Sequence, residues 1–153
     1  DRLHLLLVGD GMSRPALETL VDELNARDVV TFYGSVPPTR IPAFTALADA
    51  LVVSLSDSPD LGLTVPAKVA SYMAAAKPLL ASMDGEGRAA VERAGCGWAS
   101  AACDVDALAQ NMQAACSVGM AERAALGERA FAYYRAHYRR RELLTRLEEF
   151  ILG

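Results

Sequence analysis

The only lysines among the 15 basic residues, Lys68 and Lys77, fall in one stretch, Asp60 to Ser82 (DLGLTVPAKVASYMAAAKPLLAS). A small-residue loop there ends at Pro66, opens a short apolar helix, and closes on Lys77-Pro78 before another apolar run. A loop that feeds a helix N-terminus presents unpaired backbone N–H groups and the positive end of the helix dipole. That combination favours an anion such as a phosphate. Lys68 sits two residues after Pro66, in the first helical turn, where a cation opposes the dipole unless an anion lies nearby. It is therefore either a phosphate partner or a solvent lysine.

Other residues able to do chemistry are more scattered. Gly9-Asp10-Gly11 resembles the start of a dinucleotide fingerprint, but its third glycine position holds Arg14, and no acid follows the second strand to hold a ribose. Gly9 and Gly11 are read either as a tight strand-to-helix turn or as a ligand contact. Asp10, Asp57 and Lys77 invite comparison with a phosphoacceptor receiver module. Such a module needs paired acids after its first strand and a lysine after its last, and neither condition is met. Glu86 could accept hydrogen bonds from sugar hydroxyls or simply stabilise its own helix. His4 and His137 have no identifiable serine or cysteine partner, so no nucleophile–base pair emerges. Tyr133, Tyr134, Tyr138 and Arg139 to Arg141 read as helix packing rather than a membrane contact.

The elements that must position these residues follow from apolar runs and their punctuation. Leu3 to Val8, Val29 to Tyr33, Ala50 to Leu55, Pro78 to Ser82 and Gly97 to Ala101 read as strands. Between them lie helical stretches, the first with Leu17, Leu20, Val21 and Leu24 on one face, opened by Ser13 and Pro15. Asp104 caps a helix through Leu108 and Met112. Two more run from about Met120 to His137 and from Arg141 to Leu152, the last with Leu143, Leu144, Leu147, Phe150 and Ile151 on one stripe. Strands alternating with helices predict an α/β, Rossmann-like, doubly wound parallel sheet. Ligands bind beyond the carboxyl ends of such strands, here Gly9 to Gly11, Gly34, Ser54 to Asp60 and Ser82 to Gly87.

The 153 residues suit one domain; 52% are hydrophobic and 22% charged, which describes a globular chain. A net charge of -4 and a pI near 5.1 argue against nucleic acid as partner. Cys96, Cys103 and Cys116 lack CxxC spacing, which argues against a disulfide scaffold or zinc site and for a reducing compartment. No apolar run reaches membrane-spanning length, and the expected location is cytoplasmic.

Together these segments resemble the C-terminal, donor-binding half of a GT-B glycosyltransferase of family 4 (glycosyl transferases group 1). Gly9-Asp10-Gly11, Val30-Thr31-Phe32-Tyr33-Gly34 and Ala48-Asp49-Ala50 follow the family order. Pro66-Ala67-Lys68 with Tyr72-Met73-Ala74-Ala75-Ala76-Lys77-Pro78 resembles its "PSK…YMAAGKP" variant, similar to bacterial transferases that use UDP-N-acetylated sugars for surface polysaccharides. Asp84-Gly85-Glu86, Gly95-Cys96-Gly97 and Asp104 to Leu108 also match. The resemblance implies a nucleotide-sugar donor (UDP foremost), retention at the anomeric carbon, and no metal or cofactor. It implies donor contacts at Gly9, Gly11, Gly62, Leu63, Thr64, Val65, Lys68, Ser71 and Glu86, and leaves the catalytic group unassigned. A sugar or lipid-linked acceptor would bind through an absent N-terminal domain, with the full-length protein peripheral at the inner membrane face. A GT-B-fold sugar-nucleotide epimerase and a non-catalytic nucleotide-binding or receiver-like module are the alternatives.

The sequence departs from the family in three places. Ser71 stands where members commonly carry a ribose-contacting glutamate, and Ala76 where they carry glycine. The family's first strand, central in its sheet, has no counterpart, so the chain reads as a fragment expected to transfer nothing alone. Its open sheet edges would be covered in a homodimer or by rearrangement.

Overall fold

Leu79–Ser82 (LLAS) is the most enclosed run in the chain, with all four residues buried. In the computed structural model, which describes residues 3–153 (backbone only for Pro59 and Leu61), this run is the middle strand of three. An unbroken apolar run, rather than an alternating one, suits a strand covered on both faces.

The chain divides into two units, Asp1–Phe44 and Thr45–Gly153. In the first, β1 (Leu5–Val8) pairs in parallel with β2 (Val30–Gly34), from Leu5 opposite Val30 to Val8 opposite Gly34. They are joined through α1 (Arg14–Glu23), with Pro15 in its first turn. Ser13 precedes that helix but makes no side-chain cap. Of the apolar face expected on α1 only Val21 is buried; Leu17, Leu20 and Leu24 are 43%, 46% and 66% exposed. Two strands are too narrow a floor to cover the whole stripe. α2 (Ile41–Leu47) follows, with Phe44 edge-on to Tyr33 at 4.7 Å.

In the second unit β3 (Leu51–Ser54), β4 (Leu79–Ser82) and β5 (Gly97–Ser100) run parallel in the order β3-β4-β5. Where the sequence suggests only a polar loop, a single turn, α3 (Pro59–Gly62), precedes α4 (Ala67–Ala74). Then come α5 (Gly85–Ala94), α6 (Val105–Ser117), α7 (Met120–His137) and α8 (Arg140–Leu152). Asp104 caps α6 as expected, its Oδ1 accepting the Ala107 N–H at 2.9 Å. Val53, Val69, Met73, Leu79, Met83 and Val91 form the heart of the core. The expected doubly wound α/β class is present, as two parallel pieces. β1-β2 and β3-β4-β5 have the internal orders of strands three-two and four-five-six of such a sheet. Among the described residues no strand pairs with the outer edge of β1 or of β3.

Tyr133, Tyr134 and Tyr138 pack against the core, and Tyr133 lies 4.2 Å from the His137 ring. The apolar stripe of α8 stays open, with Phe150 86% exposed. No helix among the described residues is long and apolar enough to cross a membrane.

α4 and α7 meet at a point where neither can give way. Gly127 of α7 lies under the end of α4, and a Cβ there would stand 2.2 Å from the Ala76 carbonyl oxygen. Ala76 itself has φ 54, the left-handed conformation that follows many helix ends and that glycine adopts without strain. Gly127→Ala should lower stability by about 1–3 kcal/mol in urea denaturation, although alanine is the better helix former by about 1 kcal/mol. Ala76→Gly should raise it by about 0.5–1 kcal/mol by removing the left-handed penalty. Opposite signs at this contact would contradict the packing.

Candidate functional site

The loop from Gly62 to Pro66 is held by two glycines of the next strand–helix turn. Gly85 has φ 70, and a Cβ on it would lie 1.9 Å from the Gly62 oxygen. A Cβ on Gly87 would lie 2.6 Å from the Met83 sulfur and 2.9 Å from Pro66 Cδ. The Asp84-Gly85-Glu86-Gly87 turn therefore lets backbone meet backbone, which fixes where the loop ends and α4 begins. Val65 packs on the core, whereas Leu63 and Thr64 face outward.

Pro66 occupies the position before α4 with φ -59 and ψ 137, and no side chain caps the helix. Lys68 is exposed on its first turn, which contains no acidic residue. It makes no ion pair among the described residues. The helix dipole and Lys68 thus add positive potential at one place, with no acidic residue in that first turn to offset it. An added phosphate would remove an unfavourable cation–dipole arrangement as well as form new hydrogen bonds.

Ser71 and Glu86, predicted for the site, and Lys77 and His4, which were not, are already engaged. Ser71 turns its hydroxyl back onto the Ala67 carbonyl at 2.9 Å. Glu86 accepts from Arg93 at 2.9 Å, and Arg93 also reaches the Tyr133 hydroxyl at 3.3 Å. Those two partners, Tyr133 foremost, hold the guanidinium above its ordinary pKa. Lys77 donates to the Ala46 carbonyl of the same unit at 2.8 Å, so its ammonium already has a partner. His4 contacts the Thr31 hydroxyl at 3.0 Å, a strand-to-strand role.

Gly9 and Gly11 belong to the first unit. There the Gly9 N–H donates to the Gly34 carbonyl at 2.9 Å, and the Gly11 N–H to the Asp10 carboxylate at 2.9 Å. Arg14 in turn faces Asp10 at 3.7 Å and Glu18 at 2.8 Å. Both glycine N–H groups are thus already engaged. Of the predicted residues in the second unit, Gly62 to Val65 and Lys68 come together around one helix start; Ser71 lies a turn further along α4.

Sequence reasoning passed over the end of β5. The Ala101–Asp104 loop also reaches the strand ends, tied by Ser82 Oγ to the Ala101 carbonyl at 3.3 Å and by the Ala102 N–H to Asp84 at 3.3 Å. The signal available was Asp104, a cap standing directly after a strand.

A family model described as "Glycosyl transferases group 1" matches residues 1–117. The chain belongs to this family. The "Lipopolysaccharide core biosynthesis glycosyltransferase LpsD" of Rhizobium meliloti (strain 1021) is 42% identical over 59 residues, 39% of this chain and 17% of that protein. Among solved structures the fold is similar to Anabaena HepE in complex with UDP, with TM-score 0.82 and 18% identity over 97% of this chain and 40% of that one. Sucrose-phosphate synthase from Thermosynechococcus elongatus gives TM-score 0.81 and 24% identity over 97% of this chain and 37% of that one. WaaG, a glycosyltransferase involved in lipopolysaccharide biosynthesis, gives 0.71 and 20% over 88% and 34%. The chain spans well under half the length of each of these relatives. The structural likenesses establish a Rossmann-like glycosyltransferase fold.

The glycine contact makes the loop testable without any ligand. Gly85→Ala introduces a left-handed alanine and a backbone collision, so stability should fall by about 2–4 kcal/mol. Amide resonances of Gly62 to Val65 should shift more than those of β3. A spectrum unchanged at Gly62 would show that Gly85 does not hold the loop.

Proposed function

We propose that this chain is the donor-binding part of a retaining glycosyltransferase and that Gly62 to Lys68 holds the diphosphate of a UDP-sugar. The observation that carries the reading is the start of α4: a helix N-terminus without a side-chain cap, with a first-turn lysine that makes no ion pair among the described residues, beyond the carboxyl end of β3. UDP bound to the similarly folded Anabaena HepE supports the choice of nucleotide.

Breaking the bond from the anomeric carbon to the leaving diphosphate places growing negative charge on the phosphate oxygens. Donors preset toward that position stabilise the transition state more than the ground state. In this chain the donors proposed are the backbone amides of Leu63 to Val65 and of the first turn of α4, because the Gly62 N–H already donates to the Ser58 carbonyl at 3.3 Å. Lys68 adds a full charge, and no protein carboxylate is needed to balance it. The acceptor and the group that orients it are supplied from outside this donor-binding part. A bacterial surface saccharide is the product class, consistent with the partial likeness to LpsD. N-acetylated sugars are the donor type proposed from the Pro66 to Pro78 pattern.

UDP titrated into the ¹⁵N-labelled chain should shift amides from Gly62 to Val69, with affinity falling as salt rises. Lys68→Ala should weaken binding roughly tenfold, the loss expected for one charge-assisted contact. Shifts confined to other segments, or an affinity unchanged by Lys68→Ala, would overturn the assignment.

A further inference from the structure

The carboxyl ends of β3 and β4 and the start of α6 enclose an open cleft of about 230 Å³ that the donor reading does not use. Its polar wall consists of three serine hydroxyls, from Ser54, Ser56 and Ser82, together with Asp104; Leu55 and Leu108 supply apolar surface. The Ser54 and Ser56 hydroxyls can donate and accept, whereas Ser82, whose proton goes to the Ala101 carbonyl, and the carboxylate only accept. Asp104 spends Oδ1 on capping α6. Its Oδ2 has no partner among the described residues. No lysine, arginine or histidine lines the cleft.

This inventory selects a ligand. A phosphate would meet a carboxylate with no compensating cation, so anions are disfavoured. No cluster of three or more potential metal ligands occurs among the described residues. A single carboxylate among hydroxyls and apolar side chains suits a neutral molecule rich in hydroxyl groups, whose C–H faces can lie on Leu55 and Leu108. The volume is below that of sites for drug-sized molecules and holds about eight waters at roughly 30 Å³ each, the scale of one sugar ring.

The wall is also preformed. Cys103 lines the cleft with φ 60, a left-handed conformation that costs a non-glycine residue about 1 kcal/mol or more. The flanking tethers, Ser82 to Ala101 and Ala102 to Asp84, hold it there. We propose that this cleft is a binding site for a neutral sugar ring, anchored by Asp104 and the three serines and distinct from the diphosphate loop. The site does not depend on the donor assignment, because its residues and its ligand charge are different.

The three cysteines supply the assay. Cys103 is exposed on the cleft wall, Cys116 is partly exposed elsewhere, and Cys96 is buried with its thiol pushed up to about 11 by that burial. Iodoacetamide labelling of the 153-residue chain near pH 8, read cysteine by cysteine by mass spectrometry, should leave Cys96 silent. Methyl glucoside or N-acetylglucosamine at about 50 mM should slow Cys103 about threefold or more while Cys116 is unchanged, as expected of a millimolar site. Asp104→Asn keeps a good helix cap but removes the anionic acceptor, and should abolish most of the protection. Val105→Trp, at an exposed position on the rim, should block the cleft and abolish the sugar effect. Equal Cys103 rates with and without sugar would overturn the proposal. So would better protection by inorganic phosphate or ethylene glycol, or protection undiminished in Asp104→Asn. UDP-induced shifts at Gly62 to Val69 are read separately, so either assignment can fail while the other stands.

Discussion

The carboxyl end of β4 holds the loops at the second unit's strand ends together. Ser82 and Asp84 fasten the Ala101–Asp104 loop on one side, and Gly85 receives the Gly62 carbonyl on the other. All four residues of β4 are buried, so this end has little freedom to move. Two loops separated by some forty residues of chain are thereby referred to one rigid strand. Loops carry binding groups well only when such a scaffold fixes them.

The fixing is done mainly by what is absent from side chains. Gly85 and Gly87 admit backbone and a proline ring where any Cβ would collide, and Gly127 does the same beneath Ala76. The last contact orders α4 from its far end, while the glycine turn orders its beginning. A helix of eight residues is marginal by itself, and burial of Val69 and Met73 with constraint at both ends keeps it in place. The placement of Lys68 is thus a consequence of packing rather than of any hydrogen bond it makes.

The strands were legible because each is an apolar run closed by glycine, serine or aspartate, and α6 because its cap and its periodicity agree. Asp104 was read correctly as a cap for that reason. The apolar face of α1 was legible as a pattern but not as burial, since burial depends on what lies opposite, and two strands cover only Val21. α3 was missed because Pro59–Gly62 has no apolar period to show in four residues. The engagement of Ser71, Glu86 and Lys77 could not be seen either. Each satisfies itself on a partner four, seven or 31 residues away, a choice set by rotamers and the folded backbone. The resemblance supplied the fold and the family; which family-like residues remained free for a ligand required the geometry.

That difference in availability gives the rim of the second unit a chemical direction. At the start of α4, the dipole and Lys68 add positive potential that no acidic residue in the first turn offsets. At the start of α6, Asp104 and Asp106 place negative charge against a helix N-terminus, so that dipole is already answered by the protein's own acids. Two helix starts in one unit therefore have opposite appetites: one calls for an anion, and the other repels it while leaving an acceptor and hydroxyls for neutral groups. A ligand with an anionic part and a neutral polyhydroxyl part would meet different chemistry at the two places, and could not exchange its ends without setting phosphate against carboxylate. Discrimination of that kind comes as much from the unfavourable pairing as from the favourable one.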